Sequence, residues 1–169
     1  MKNPLSNSTK VLVSMAFLLS TMVLFLSCKQ AVEKTQEKLI EKSIGNDADV
    51  DLDDEKIVIK TDEGTFTTDA TAQNWPNDIP SHVPEFTSGK IEVVNTQEMI
   101  GGKSWTILFE DVNQDNIKAY KDKLEEKDFT IKFTTIAGSG IHFAAQKENV
   151  SVMVLGDEKG ASITVSIKE

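Results

Sequence analysis

From Gly89 onward the chain alternates between apolar and polar residues. The segments KIEVVN, SWTILFE, FTIKFTT, GIHFAAQ, VSVMVL and ASITVSI repeat with the period of two that marks a strand with one buried face. Turn signals separate them at Gly101-Gly102, Gly138-Ser139-Gly140, Lys147-Glu148-Asn149 and between Gly156 and Gly160. Between the second and third strands the period changes to that of a helix. NQDNIKAYKDKLEEKD puts Ile117, Tyr120 and Leu124 on one face and offers Asn113 as the N-cap. The order is two strands, one helix and four strands. Loops this short predict hairpins, so the expectation is an α+β domain: a mostly antiparallel sheet of about six strands, ββαββββ, with one packed helix. With no bulge to shift the register, the core face holds Ile91, Val93, Trp105, Ile107, Phe109, Phe129, Ile131, Phe133, Ile141, Phe143, Val152, Val154, Ile163 and Val165.

Weaker patterns precede this region. AVEKTQEKLIEKS consists of good helix formers, with Val32, Leu39 and Ile40 near one face and Gly45 as a stop, which predicts a short stalk helix. In the acidic stretch that follows, Val50 and Leu52, then Ile57 and Ile59, then Phe66 alternate with polar positions. This predicts a three-stranded meander, too small to stand alone, that docks on the main domain. NWPNDIPSHVPEF carries three of the four prolines, which impose an irregular connector. Trp75, Ile79, Val83 and Phe86 would strap it to the core. The expected organisation is residues 1–27 as a leader, 28–46 as a stalk, 47–73 as the meander, 74–88 as the connector and 89–169 as the core domain.

The leader adds a location. Lys2 and Lys10 precede an uncharged run from Val11 to Leu26, and Ser27, Cys28 and Lys29 end it. At 16 residues the run falls short of the roughly 20 that a permanent transmembrane helix needs, and it has the form of a secretory signal peptide. Charge narrows the partners. The chain has 169 residues, 18 basic and 27 acidic side chains, and a formal net charge of -9. Every basic residue is lysine. Without a guanidinium fork and with an acidic surface, nucleic acid is not the expected partner. Cys28 is the single cysteine, so no internal disulfide is available and the core alone must hold the fold.

The position of Cys28, just behind the apolar run and after the small Ser27, resembles a bacterial lipoprotein lipobox. The resemblance implies cleavage between Ser27 and Cys28, and a thioether-linked diacylglycerol on Cys28 with further acylation of the new amino terminus. Two or more acyl chains hold a protein stably at a membrane, each buried methylene contributing about 0.8 kcal/mol. Loss of residues 1–27 removes two lysines and no acid, so the mature body becomes more acidic and is repelled by anionic head groups. DVDLDDEKIVIKTDEG followed by WPNDIPSHVP is also similar to a group of small bacterial lipoproteins whose function is not established. That likeness implies an envelope location and supplies no activity.

No constellation predicts catalysis or a cofactor. Asp47, Asp49, Asp51, Asp53 and Asp54 are spaced like an oxygen cage, and Asp111, Asn113, Asp115 and Asp122 echo a calcium loop. That loop needs glycine sixth and an apolar residue eighth, where this chain has Asn116 and Lys118. His82 and His142 have no partner at metal-ligand spacing. Gly138-Ser139-Gly140 is a fragment of the nucleophile elbow and precedes a strand instead of a helix. The reverse face of the sheet remains, with Thr106, Leu108, His142, Ala144, Met153 and Leu155 as candidate binding residues beside Ser151, Ser162 and Thr164. Either the stalk or meander covers that face, or it binds a ligand or an envelope protein. The expectation is a lipid-anchored, exported, non-catalytic binding or structural module. It would sit in the periplasm or outer membrane, or on the outer side of the cell membrane if there is only one. The alternatives are an envelope hydrolase using exposed carboxylates and a calcium-dependent adhesion element.

Overall fold

A computed structural model describes residues 37, 38, 40, 41, 48–53 and 55–169. The leader, Ser27 and Cys28 included, and most of the stalk lie outside the described residues. Nine strands and one helix follow: β1 Asp49–Asp53, β2 Lys56–Thr61, β3 Gly64–Asp69, β4 Lys90–Met99, β5 Gly102–Glu110, α1 Gln114–Glu126, β6 Thr130–Ala137, β7 Gly140–Lys147, β8 Val150–Gly156 and β9 Gly160–Lys168. All nine form one sheet in the order β1-β2-β3-β4-β5-β9-β8-β7-β6, and every neighbouring pair is antiparallel.

This architecture corrects the expected α+β domain of about six strands with a separate meander and stalk helix. Among the described residues the chain is mainly one nine-stranded sheet with a single short helix packed on it, besides the helical residues 37, 38, 40 and 41. The reason is the pairing of β3 with β4, from Gly64 opposite Met99 to Asp69 opposite Val94. Backbone pairing across that junction continues the main sheet through the meander, so the meander extends the sheet sideways and does not dock on it.

Two bulges correct the expected core. The register shifts between Ile91 and Val93 and again between Ile131 and Phe133. One extra residue turns every later side chain on the strand over. Val93 therefore pairs with Leu108, and Phe133 with Ala144, on the face opposite the core. Val94 replaces Val93 inside, opposite Ile107. Phe133 is 47% exposed, where the simple alternation would have buried it.

The core lies between one face of the sheet and a layer made of α1 and the proline connector. Trp105, Ile107, Phe109, Phe143, Val152, Val154, Ile163 and Val165 face inward from the strands. Ile117, Tyr120 and Leu124 descend from α1, which packs over β6, β7 and β8. The helix begins with a reciprocal cap: Asn113 accepts from the Asn116 backbone N–H at 3.0 Å, and Asn116 accepts from the Asn113 N–H at 3.1 Å.

The connector covers the rest of the inner face. Its prolines fall every fourth residue, at 76, 80 and 84. The N–H groups of Ile79 and Val83 donate to the carbonyls of Pro76 and Pro80 and close successive turns. Ile79, Val83 and Phe86 are thereby aimed into the core. Phe86 meets Phe109 and Tyr120 edge-on at 4.9 and 5.2 Å.

Candidate functional site

Two surfaces stand out. One is the open face of the sheet, where the six residues picked from the sequence come together. His142 pairs with Leu155 and Ala144 with Met153 across β7 and β8. Met153 and Leu155 pair with Thr164 and Ser162 of β9, which pair with Thr106 and Leu108 of β5. His142, Met153 and Leu155 are exposed, and Thr106, Leu108 and Ala144 are half-buried. Cover by the meander is ruled out, because the meander lies beside this face in the same sheet.

Register extends the face across all nine strands. Leu52, Ile57, Thr68, Asn95, Thr106, Thr164, Met153, Ala144 and Phe133 form one continuous cross-strand row. Its centre is built from short polar side chains that satisfy one another. The Thr68 hydroxyl donates to Asn95 Oδ1 at 2.8 Å, and the Thr106 and Thr164 hydroxyls share a bond at 3.0 Å. Both flanks are apolar: Ile57, Phe66 and Met99 are exposed on one side, and Phe133, Met153 and Leu155 on the other.

Charge is the property that sets this face apart. On β1, β2 and β3 the charged residues Asp49, Asp51, Asp53, Lys56, Lys60 and Asp69 occupy the inner-face parity, where the helix does not reach. The interior of the open face carries no formal charge. The ion pair of Lys90 with Glu110, at 2.6 Å, lies at its margin. Such a surface suits an uncharged partner, because neither side must give up a charged group's hydration to bind.

The second surface is a groove of ≈ 370 Å³ on the inner side of the meander, beside the start of the connector, lined by Lys56, Thr67, Asp69, Asn74, Thr96 and Lys103 among others. Lys103 organises it. Its ammonium contacts Asp78 Oδ2 at 2.7 Å and Glu98 Oε2 at 3.1 Å, and sits 5.3 Å from the centre of the Trp105 ring. Asp78 also accepts from the Trp105 indole N–H at 3.1 Å. Partial burial works to raise the Asp78 pKa, but hydrogen bonding and charge from Lys103 outweigh it and hold the carboxyl below the usual range. The same hydrogen bond, made to Asp78, raises the Lys103 pKa. This node fastens the connector to β5, and Tyr120, whose hydroxyl donates to the Pro84 carbonyl at 2.9 Å, fastens its other end to α1. Sequence reasoning missed the node, since nothing local ties Asp78 to a lysine 25 positions away.

Asn113 and Asp115 belong to the start of α1. His82 is exposed and stacks on Phe129 with ring centres 6.1 Å apart. Among the described residues no three His, Cys, Asp or Glu side chains converge as metal ligands. Comparison with protein-family models, with curated proteins and with solved structures finds no match to this chain.

Proposed function

We propose that the chain is an exported, lipid-anchored, non-catalytic binding module of the bacterial cell envelope. It is tethered through Cys28 and presents its uncharged sheet face to an envelope protein or ligand. The observation that carries the anchor is the single cysteine placed two residues beyond a 16-residue uncharged apolar run. Acyl chains at that position tether an acidic body without a peptide span. Among the described residues no helix is long and apolar enough to cross a membrane. Support for binding comes from the width, openness and charge neutrality of the sheet face, on which Met153 and Leu155 are 45% and 43% exposed.

The test is Cys28→Ala in a bacterial host that processes lipoproteins. Metabolic labelling with a fatty acid should mark the parent chain and not the variant, and lipoprotein-type cleavage should be lost. A native protein with an intact N-terminal methionine and an unmodified thiol overturns the anchor.

A further inference from the structure

The two edges of the sheet are built differently. At the β1 edge the backbone N–H groups of Val50 and Leu52, two residues apart, donate to Glu41 Oε1 at 3.4 Å and Glu37 Oε1 at 3.2 Å. Glu37 and Glu41 are four apart in helical backbone, so one helix face matches the two-residue repeat of an edge strand. That edge is closed by carboxylates. At the other edge, β6 is the last strand of the sheet, and no described strand pairs with its outer side. Seven of its eight residues are exposed, Phe133 at 47% and Ile136 at 65%. After the bulge, the stretch from Phe133 to Ala137 pairs regularly with β7 and carries no charge. An open edge whose regular stretch is uncharged and carries apolar side chains is a template for another strand.

We infer that β6 is a self-association edge, pairing antiparallel with β6 of a second copy to form a closed two-fold dimer. Charge selects this occupant. In a chain of net charge -9, residues 129–147 contain no acid and include two lysines and a histidine. Two copies therefore meet here without the repulsion that brings cost to contacts between acidic surfaces. Geometry limits the assembly to two. The carboxylates on the β1 edge block head-to-tail growth, and a β6–β6 contact consumes the free edge of both partners, so the interface is isologous and closes. The Lys132 bulge confines the pairing to about five residues, so the contact falls in the small, weak class and the dimer forms in the micromolar range. Pairing joins two open faces into one continuous surface and places the apolar flanks containing Phe133 side by side. The inference rests on the edges of the sheet and is independent of the anchor at Cys28.

The experiment is sedimentation equilibrium of the full chain in density-matched detergent up to about 100 μM, with a Thr134→Lys/Ile136→Lys double variant alongside. Both positions are exposed, so the variant should keep its circular dichroism spectrum and melting temperature while its dimer dissociation constant rises at least about tenfold. A second arm works independently of those lysines. In a Cys28→Ser background, Thr134→Cys or Thr135→Cys should be trapped as a dimer by a short bismaleimide, and Asp51→Cys on the β1 edge should not. A parent chain that is monomeric throughout the range overturns the inference, as does a dimer unaffected by the double change or equal trapping at position 51.

Discussion

Single residues decide how the inner layer is held to the sheet. Without Asp78, the connector would lose a joint that fastens at once to Lys103 and to the Trp105 indole. The pH dependence follows from the signs of the shifts. The Asp78 pKa is lower in the folded state, so its contribution is present above the unfolded carboxylate value and is lost as pH falls through the folded one, below about pH 4. The Lys103 pKa is raised, so its contribution is present below the ordinary lysine value and is lost as pH rises through the folded one, above about pH 10. Asp78→Asn retains an acceptor for the indole and removes the charge. Thermal melts should show a loss within about 1 kcal/mol at pH 7, because Asp78 is half-exposed, and a shallower fall in stability on the acid side. An unchanged acid limb would show that the pair contributes nothing measurable.

At the scale of elements, the alternation located strands and the helical period located α1, because both signals are local. Bulges are not. The extra residues at Glu92 and Lys132 have no marker in the sequence, and each reversed the facing of the residues that follow, so Val93 and Phe133 were assigned to the wrong side. Pairing partners were equally hidden: Gly64–Asp69 carries the same pattern whether it ends a separate meander or joins β4. The closed β1 edge is also a property of two elements together. Glu37→Ala combined with Glu41→Ala should leave the amides of Val50 and Leu52 without protein acceptors. Hydrogen exchange at those two amides should accelerate by at least about tenfold, with β8 and β9 unchanged, since edge opening is local. Exchange that stays slow at both amides would mean that the carboxylates do not guard the edge.

Across the whole molecule, the sheet separates two environments that follow each other residue by residue along β5, β7, β8 and β9. Ile163 is fully buried, whereas Met153, on the neighbouring strand and the opposite face, is 45% exposed. Ile163→Ala should cost about 2–5 kcal/mol by denaturant unfolding, and Met153→Ala about 0.5 kcal/mol or less. Comparable losses would place something over the open face. The candidate binding residues were legible because period-two alternation assigns faces within a strand. The breadth of the uncharged surface was not, since it depends on which strands are neighbours.

The sequence by itself determined the place of Cys28 behind an uncharged apolar run, the acidic charge, the positions of strands and of α1, and the apolar residues that the connector tucks inward. These follow from composition, period and proline geometry, which act over a few residues. Only the tertiary structure decided that the meander continues the main sheet, that two bulges invert β4 and β6, that Asp78 meets Lys103, and that one edge is closed while the other stays open. Each of these depends on backbone or side-chain partners distant in the chain. Their choice is made by the free energy of the assembled sheet, to which no short window of residues has access.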